Sequence, residues 1–284
     1  MSAALLQRYL ARELSAEMTL MYWLKTGASP QEIGDALAQR PADGAIGALQ
    51  TLLHAHWDGC LRIARMVSAG VDTDAPAPST EAGLRFCRRL FDWSVAQSPE
   101  SSVALYSLGS PELLQAATDE VVAWLQAQRL IAPPCDVLEI GCGIGRFEVA
   151  LAPRVASVRG IDVSPAMVEE ARRRCAGLPN VVLDVCDGRG LAMCADASHD
   201  LVLAIDSFPY LFQSGWPLLL HHFHEARRVL RPGGALCVME LSYGRTPAED
   251  VRDFIALAAA AGLQPGVCGA QPFRRWDGMA FVAF

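Results

Sequence analysis

The segment Val137-Leu-Glu-Ile-Gly-Cys-Gly-Ile-Gly-Arg-Phe147 joins an apolar run to three alternate glycines at positions 141, 143 and 145. The apolar run predicts a buried strand, and the residues after the last glycine predict a helix. Glycines let the backbone turn tightly and let a ligand approach it, while the helix start offers N–H groups without partners. The segment therefore predicts a strand, a ligand-binding turn and a helix in succession.

Dinucleotide-binding enzymes use a similar turn, but two details of this sequence differ from their pattern. That pattern has its third glycine or alanine where this chain has Arg146. An acid, Glu139, stands two residues before Gly141, and the dinucleotide pattern has no need of it. These details separate the turn from a dinucleotide site.

Beyond Pro133-Pro134, short apolar runs alternate with helical segments, which predicts a parallel sheet with a helix in each crossover. The predicted strands are Val137–Ile140, Val155–Ile161, Val181–Val185, Leu201–Ile205 and Ala235–Leu241. The predicted helices are Arg146–Leu151, Pro165–Ala176, Pro217–Leu230 and Pro247–Ala261. At the end, Gln264–Ala270 and Met279–Phe284 predict two strands joined without a helix.

These motifs resemble those of class I S-adenosylmethionine-dependent methyltransferases, whose first motif is a hydrophobic residue, an acid and a G-x-G-x-G turn. The further matches, in the family's order, are Gly160–Asp162, Ser164–Met167, Cys186–Gly188, Ser198–Asp206 and Arg228–Gly234. The resemblance covers about the last 150 residues. It implies an α/β Rossmann-like domain with a seven-stranded, mostly parallel sheet and an antiparallel last strand. It also implies S-adenosyl-L-methionine as the cofactor.

The resemblance gives cofactor-binding roles to residues at the ends of three strands. Glu139, Gly141 and Gly143 belong to the glycine-rich motif. Asp162, twenty-one residues after Gly141, suits a carboxylate that accepts hydrogen bonds from both ribose hydroxyls. The resemblance further places Met167 on the adenine ring and Asp187 at the adenine amino group.

Candidate catalytic residues lie in and after Asp206-Ser-Phe-Pro-Tyr210, which follows the fourth predicted strand. The segment is loosely similar to the (D/N)-P-P-Y motif of amino-group methyltransferases, with one extra residue and one proline fewer. Its aromatic rings could bind a sulfonium by cation–π attraction or could fill the edge of the core. Asp206, Tyr210 or His222 could act as a base if the acceptor arrives protonated.

The first 128 residues have a helical pattern, so we predict a helical domain over residues 1–128 and the sheet domain over 129–284. Apolar residues from Leu6 to Met21 recur at helical spacing, Ser29-Pro30-Gln31-Glu32 predicts a helix start, and residues 45–69 predict one long helix. In outline this half resembles the helical cap or dimerisation region of many small-molecule methyltransferases, which makes it a candidate homodimer surface. Tyr106 is a candidate lid residue over the cofactor, or a residue of a helical core.

The amino-acid composition limits the kinds of partner, cellular location and metal site that we expect for this chain. The formal net charge is −7 without a basic cluster, so no nucleic-acid surface is expected. No apolar run reaches membrane-spanning length, no signal peptide is recognisable, and the nine cysteines lack paired C-x-x-C spacing, so we expect a cytoplasmic protein. His221, His222 and His224 have no plausible third ligand, and no metal site is predicted.

The sequence therefore predicts transfer of a methyl group from S-adenosylmethionine to a small-molecule nucleophile. The alternative is a related enzyme that consumes the cofactor without methyl transfer. Such an enzyme would cyclise the aminobutyrate arm to azetidine-2-carboxylate and release methylthioadenosine. The acceptor, and whether its nitrogen, oxygen, sulfur or carbon is methylated, stay open.

Overall fold

The computed structural model describes residues 2–41, 44–70 and 76–284. They form two compact units. The helical unit comprises Met1–Thr73, Trp93–Glu120 and Phe273–Asp277. The sheet unit comprises Asp74–Asp92, Val121–Pro272 and Gly278–Phe284.

The first eight helices of the described chain are α1 (Ser2–Leu10), α2 (Ala16–Lys25), α3 (Pro30–Ala38), α4 (Gly44–Ala55), α5 (Trp57–Ser68), α6 (Thr80–Gln97), α7 (Pro99–Val103) and α8 (Pro111–Ala127). Apolar residues at spacings of three and four give each longer helix a buried face. The core of the helical unit is formed by such residues, among them Leu20, Leu24, Ile33, Leu37, Leu49 and Ile63.

Local backbone chemistry divides the helices more finely than the apolar pattern indicates. The predicted stripe from Leu6 to Met21 spans two helices, because Arg12 has a left-handed φ of 62° and Ser15 caps α2 through Met18 N. The helix predicted over residues 45–69 is likewise two helices, α4 and α5, separated at His56. The start predicted at Ser29 is confirmed, with a complete capping box to Glu32.

The sheet unit has seven strands, namely β1 (Asp136–Ile140), β2 (Ser157–Asp162), β3 (Val181–Val185), β4 (His199–Ile205), β5 (Leu230–Met239), β6 (Pro265–Ala270) and β7 (Ala280–Ala283). They follow the order β3-β2-β1-β4-β5-β7-β6. The first five strands pair in parallel, and β7 lies antiparallel to both β5 and β6. The predicted Rossmann-like fold is therefore confirmed.

Five helices accompany these strands: α9 (Arg146–Leu151), α10 (Pro165–Arg174), α11 (Phe208–Gln213), α12 (Trp216–Val229) and α13 (Pro247–Ala260). Fully buried rings of Phe223, Phe254 and Phe281 pack in sequence, with centroids 5.7 Å and 4.9 Å apart. The candidate segment Asp206–Tyr210 is partly helical, because α11 begins within it at Phe208. Pro209 favours this start because its fixed φ suits the first helical turn.

Strand register brings the functional motifs to one edge of the sheet. Ile140 pairs with Ile161, Asp162 pairs with Val185, and Ile205 pairs with Met239. Because these strands are parallel, the segments that follow them emerge at the same carboxyl edge. This edge is the usual place of the ligand crevice in open α/β sheets.

The two units do not follow the single boundary that we predicted near residue 128. The segment 74–92 belongs to the sheet unit, and 273–277, between β6 and β7, belongs to the helical unit. In the helical unit, Glu120 accepts hydrogen bonds from the backbone N–H groups of Arg274 and Arg275 at 2.9 Å and 3.1 Å. Helical periodicity shows which face of a segment is buried, but not which core it joins.

Candidate cofactor site

The glycine turn follows β1 directly. The backbone N–H groups of Gly141 and Cys142 both donate to the Ile161 carbonyl, at 2.8 Å and 3.1 Å. Gly141 has a left-handed φ of 79°, and an added Cβ there would lie 2.5 Å from Cβ of Ser207. Only glycine meets both requirements, so Gly141 lets the turn pack against the segment that follows β4.

Asp162, the last residue of β2, lies against this turn. Its Oδ2 accepts a hydrogen bond from Gly143 N, and its Oδ1 accepts one from Ser164 N, each at 2.9 Å. The residue is 8% exposed, and burial raises the pKa of its carboxyl to about 6. Ser164 also caps α10 through Met167 N, at 3.1 Å. The structure thus brings Gly143, Asp162 and Met167 together, with Asp162 ionised above about pH 6.

Glu139 lies within β1 and belongs to a buried pair of acids with Glu148 of α9. The two side chains are 1% and 0% exposed. No donor among the described residues reaches Oε2 of Glu139 or either carboxyl oxygen of Glu148. Burial, followed by the charge of Glu148, raises the pKa of Glu139 well above its ordinary value. Burial thus favours the protonated form of Glu139.

Asp187 is at the neighbouring strand end. Cys186 N donates to the Asp162 carbonyl at 2.9 Å, so the segment after β3 starts beside the end of β2. Asp187 is exposed, and its Oδ1 accepts a hydrogen bond from Arg189 N at 2.9 Å. The structure therefore places the two acids on adjacent strand ends of one edge.

Asp206 follows β4 and has a left-handed φ of 57°, unusual for a residue with a side chain. Its N–H donates to the Met239 carbonyl at 2.8 Å, and the next residue, Ser207, donates through Oγ to the Ile140 carbonyl at 2.6 Å. These two bonds hold the segment between the ends of β5 and β1, next to the glycine turn.

Tyr243, beyond the end of β5, donates through its hydroxyl to Oδ1 of Asp206 at 2.5 Å. Burial, and then the charge of Asp206, raises the pKa of Tyr243 well above its ordinary value, so the hydroxyl stays protonated. The ring of Tyr210 meets the rings of Tyr243 and Phe91 edge-on, with centroids 5.8 Å and 5.0 Å away. A carboxylate and three aromatic rings are thus joined by contacts to the segment that packs against the turn.

Residues 137–234 match the sequence family described as a methyltransferase domain. Over 110 residues the chain is 33% identical to a demethylmenaquinone methyltransferase of Tropheryma whipplei, a match that covers 39% of this chain and 43% of that protein. Over 109 residues it is 35% identical to an S-adenosyl-L-methionine-dependent Diels-Alderase of Talaromyces variabilis, covering 37% of this chain and 36% of that protein. Each match spans less than half of the relative's own length.

This segment of the chain is thus similar in sequence to class I S-adenosylmethionine-dependent methyltransferases. Among solved structures, magnesium protoporphyrin IX methyltransferase from Synechocystis shares the fold, with a TM-score of 0.52 and 21% identity over 71% of this chain and 96% of that one. S-adenosylmethionine is the cofactor that these sequence similarities support.

Two further predicted site residues, His222 and Tyr106, have packing partners of their own. His222 is buried in α12, where its Nδ1 pairs with the Leu218 carbonyl at 2.9 Å, and burial lowers its pKa. Tyr106 is buried in the helical unit, and its ring stacks on Trp276 with centroids 6.3 Å apart. The lid role of Tyr106 stays a prediction.

The described part of the chain has no cluster of three His, Cys, Asp or Glu residues placed to hold a metal ion. Nor does it contain a helix long and apolar enough to cross a membrane.

Sequence reasoning missed two residues of this region, Tyr243 and Glu148. Tyr243 lies four residues beyond β5, at the same edge as Asp206, so attention to every strand end would have found it. Glu148 had no such signal, because an acid in the first turn of a helix is ordinarily solvated and favoured by the helix dipole.

Proposed function

We propose that this chain transfers the methyl group of S-adenosylmethionine to a nucleophilic atom of a small molecule. The observation that carries the proposal is the contact of Ser207 with the glycine turn, which sets Asp206 and Tyr243 beside the candidate cofactor site. A small acceptor is consistent with the net charge of −7, which is unfavourable for nucleic acid.

The residues at the carboxyl edge fit the cofactor. Asp162 is a buried carboxylate with acceptor capacity for the two ribose hydroxyls, and Met167 offers an apolar surface for the adenine ring. Asp187 is the candidate for the adenine amino group, and the bare backbone at Gly141 and Gly143 lets the ligand approach. Glu139 lies beneath the turn, so we propose that it acts there by supporting the turn.

The bound cofactor supplies a methyl group that its sulfonium already activates. The protein's part is to position the acceptor, exclude water and receive a proton where the acceptor carries one. We assign the proton to Asp206, which Tyr243 holds through its hydroxyl. The face of the Tyr210 ring can attract positive charge near the sulfonium. His222 takes no part in this proposal, because its Nδ1 pairs within α12.

The test is the product formed from S-adenosylmethionine. Methyl transfer predicts S-adenosylhomocysteine whose formation depends on an added amine, phenol, thiol or carboxylate acceptor, as measured by mass spectrometry. Asp206→Asn should reduce this turnover at least about tenfold, because an amide cannot accept the proton. Acceptor-independent products would contradict methyl transfer.

Cyclisation of the cofactor itself is the second candidate. The packing of Tyr210 against both Phe91 and Tyr243 favours it, because compact rings beside the sulfonium would suit a folded aminobutyrate arm. The α-amine, after losing a proton, would bond to the γ-carbon as the carbon–sulfur bond breaks and methylthioadenosine leaves. The similarity to a Diels-Alderase supports a reaction other than methyl transfer. Methylthioadenosine formed from S-adenosylmethionine alone would identify this reaction.

A further inference from the structure

One face of α6 lies along the carboxyl edge of the sheet unit. Residues 80–92 of this helix belong to that unit. Leu84, Cys87 and Phe91 are spaced by three and four residues, so they share a face. Leu84 and Cys87 are 8% and 6% exposed. We call these three residues the α6 face.

Each residue of the α6 face meets a different strand end. An added Cβ on Gly188, after β3, would lie 2.7 Å from Cδ2 of Leu84. Cys87 is close enough to Asp162, at the end of β2, for that charge to help burial raise the pKa of its thiol. The ring of Phe91 meets that of Tyr210, after β4, at a centroid distance of 5.0 Å. The face therefore crosses the edge from β3 through β2 to β4.

Polar contacts fasten both ends of this part of the helix. Oδ1 of Asp92 accepts hydrogen bonds from Ser164 Oγ at 2.6 Å and from Ala166 N at 3.2 Å. Ser164 in turn donates through its N–H to Asp162. At the other end, Glu81 forms an ion pair with Arg189, beyond β3. Asp92 thus reaches the Asp162 carboxylate through a single intervening residue.

We propose that the α6 face covers the adenosyl half of the cofactor and that Asp92 is the positioning residue that holds it there. The proposal rests on the cofactor placement given under Proposed function. Leu84 and Cys87 offer an apolar surface, which suits the flat face of an adenine ring lying over the loops after β2 and β3. Cofactor exchange then requires the contacts between Asp92 and Ser164 to open.

The experiment follows release of tritiated S-adenosylhomocysteine by rapid filtration after dilution into unlabelled ligand. Asp92→Ala removes the acceptor of two hydrogen bonds, so we expect release at least about tenfold faster. Asp92→Asn keeps an oxygen acceptor and should restore part of the retention. Arg89→Gln, an exposed change on the same helix, should release at the wild-type rate.

Two further measurements distinguish the positioning role of Asp92 from a general destabilisation of the fold. Ser164→Ala combined with Asp92→Ala should accelerate release by less than the product of the two single effects, because the two substitutions share the hydrogen bond between Ser164 and Asp92. 5′-Methylthioadenosine lacks the aminobutyrate arm, so its affinity should fall by the same factor as that of S-adenosylhomocysteine. The proposal would be overturned if Asp92→Ala released S-adenosylhomocysteine at a rate within twofold of wild type. It would also be overturned if the variant lost affinity for S-adenosylhomocysteine but not for 5′-methylthioadenosine. Failure of methyl transfer would appear only in the product assay, because binding requires no turnover.

Discussion

The buried acids beneath the glycine turn make the stability of the folded chain depend on pH. Burial, the largest cause, raises the pKa of Glu148 to about 7 from an ordinary 4.5. The folded chain therefore holds this proton more tightly than the unfolded chain does. The resulting contribution to the free energy of unfolding is fully present below about pH 4.5 and is lost as the pH rises to about 7.

The substitution Glu148→Gln removes this titration while keeping the side-chain shape, and the new amide can donate to Glu139. A tenfold change in proton binding corresponds to 1.36 kcal/mol, so ionising Glu148 in the folded chain costs about 3 kcal/mol at pH 8. At pH 5 the corresponding cost is only about 1 kcal/mol. We therefore expect the variant to gain about 2 to 3 kcal/mol over wild type between pH 5 and pH 8.

Urea unfolding followed by circular dichroism at both pH values measures this gain. Glu169→Gln is the matched control, because Glu169 is an exposed acid on α10 and its replacement should leave the wild-type pH dependence unchanged. If Glu148→Gln shows the same pH dependence as wild type, the two acids do not titrate as a buried pair and this reasoning fails.

Three other substitutions test the site. Asp162→Ala should weaken cofactor binding, measured by calorimetry, at least about tenfold. The wild-type protein should also bind more weakly when the pH is below about 6, because this carboxyl then gains a proton. A folded variant with unchanged affinity would refute the assignment. Gly141→Ala should lower the free energy of unfolding by about 1–3 kcal/mol, because the added methyl group would meet Ser207. Gly233→Ala is the control, with a similar φ but open space around the added Cβ, and should cost less. Equal losses of unfolding free energy in urea would show that the contact with Ser207 does not matter. Tyr243→Phe should lower kcat at least about tenfold with a smaller change in KM, because it removes the hydroxyl that donates to Asp206, the proposed proton acceptor. If the pH profile of kcat is the same as in wild type, Tyr243 does not act through Asp206.

The sheet could be predicted because strand, turn and helix signals are local and recur in a fixed order. The glycine turn after β1, the acid that ends β2 and the antiparallel β7 all depend on short stretches of sequence. The domain boundary could not be predicted in this way. Residues 80–92 have the same helical period as their neighbours, and only tertiary packing assigns them to the sheet unit.

The site was predictable where a residue follows a strand and unpredictable where a contact joins distant segments. Asp162 and Asp206 were found at strand ends, whereas Asp92 reaches Ser164 across 72 residues. His222 was a candidate on residue type, but its spacing from Leu218 favours a bond within the helix. The expected homodimer stays a prediction that size-exclusion chromatography with light scattering can test.

A crystal structure with S-adenosylhomocysteine would test the central claim most directly. We predict both ribose hydroxyls on the Asp162 carboxylate, the adenine ring beneath Leu84, and the sulfur within about 6 Å of the Asp206–Tyr210 segment. Ribose hydroxyls away from Asp162 would refute this placement. So would a sulfur more than about 8 Å from every side chain of that segment, which exceeds the reach of a cation–π contact.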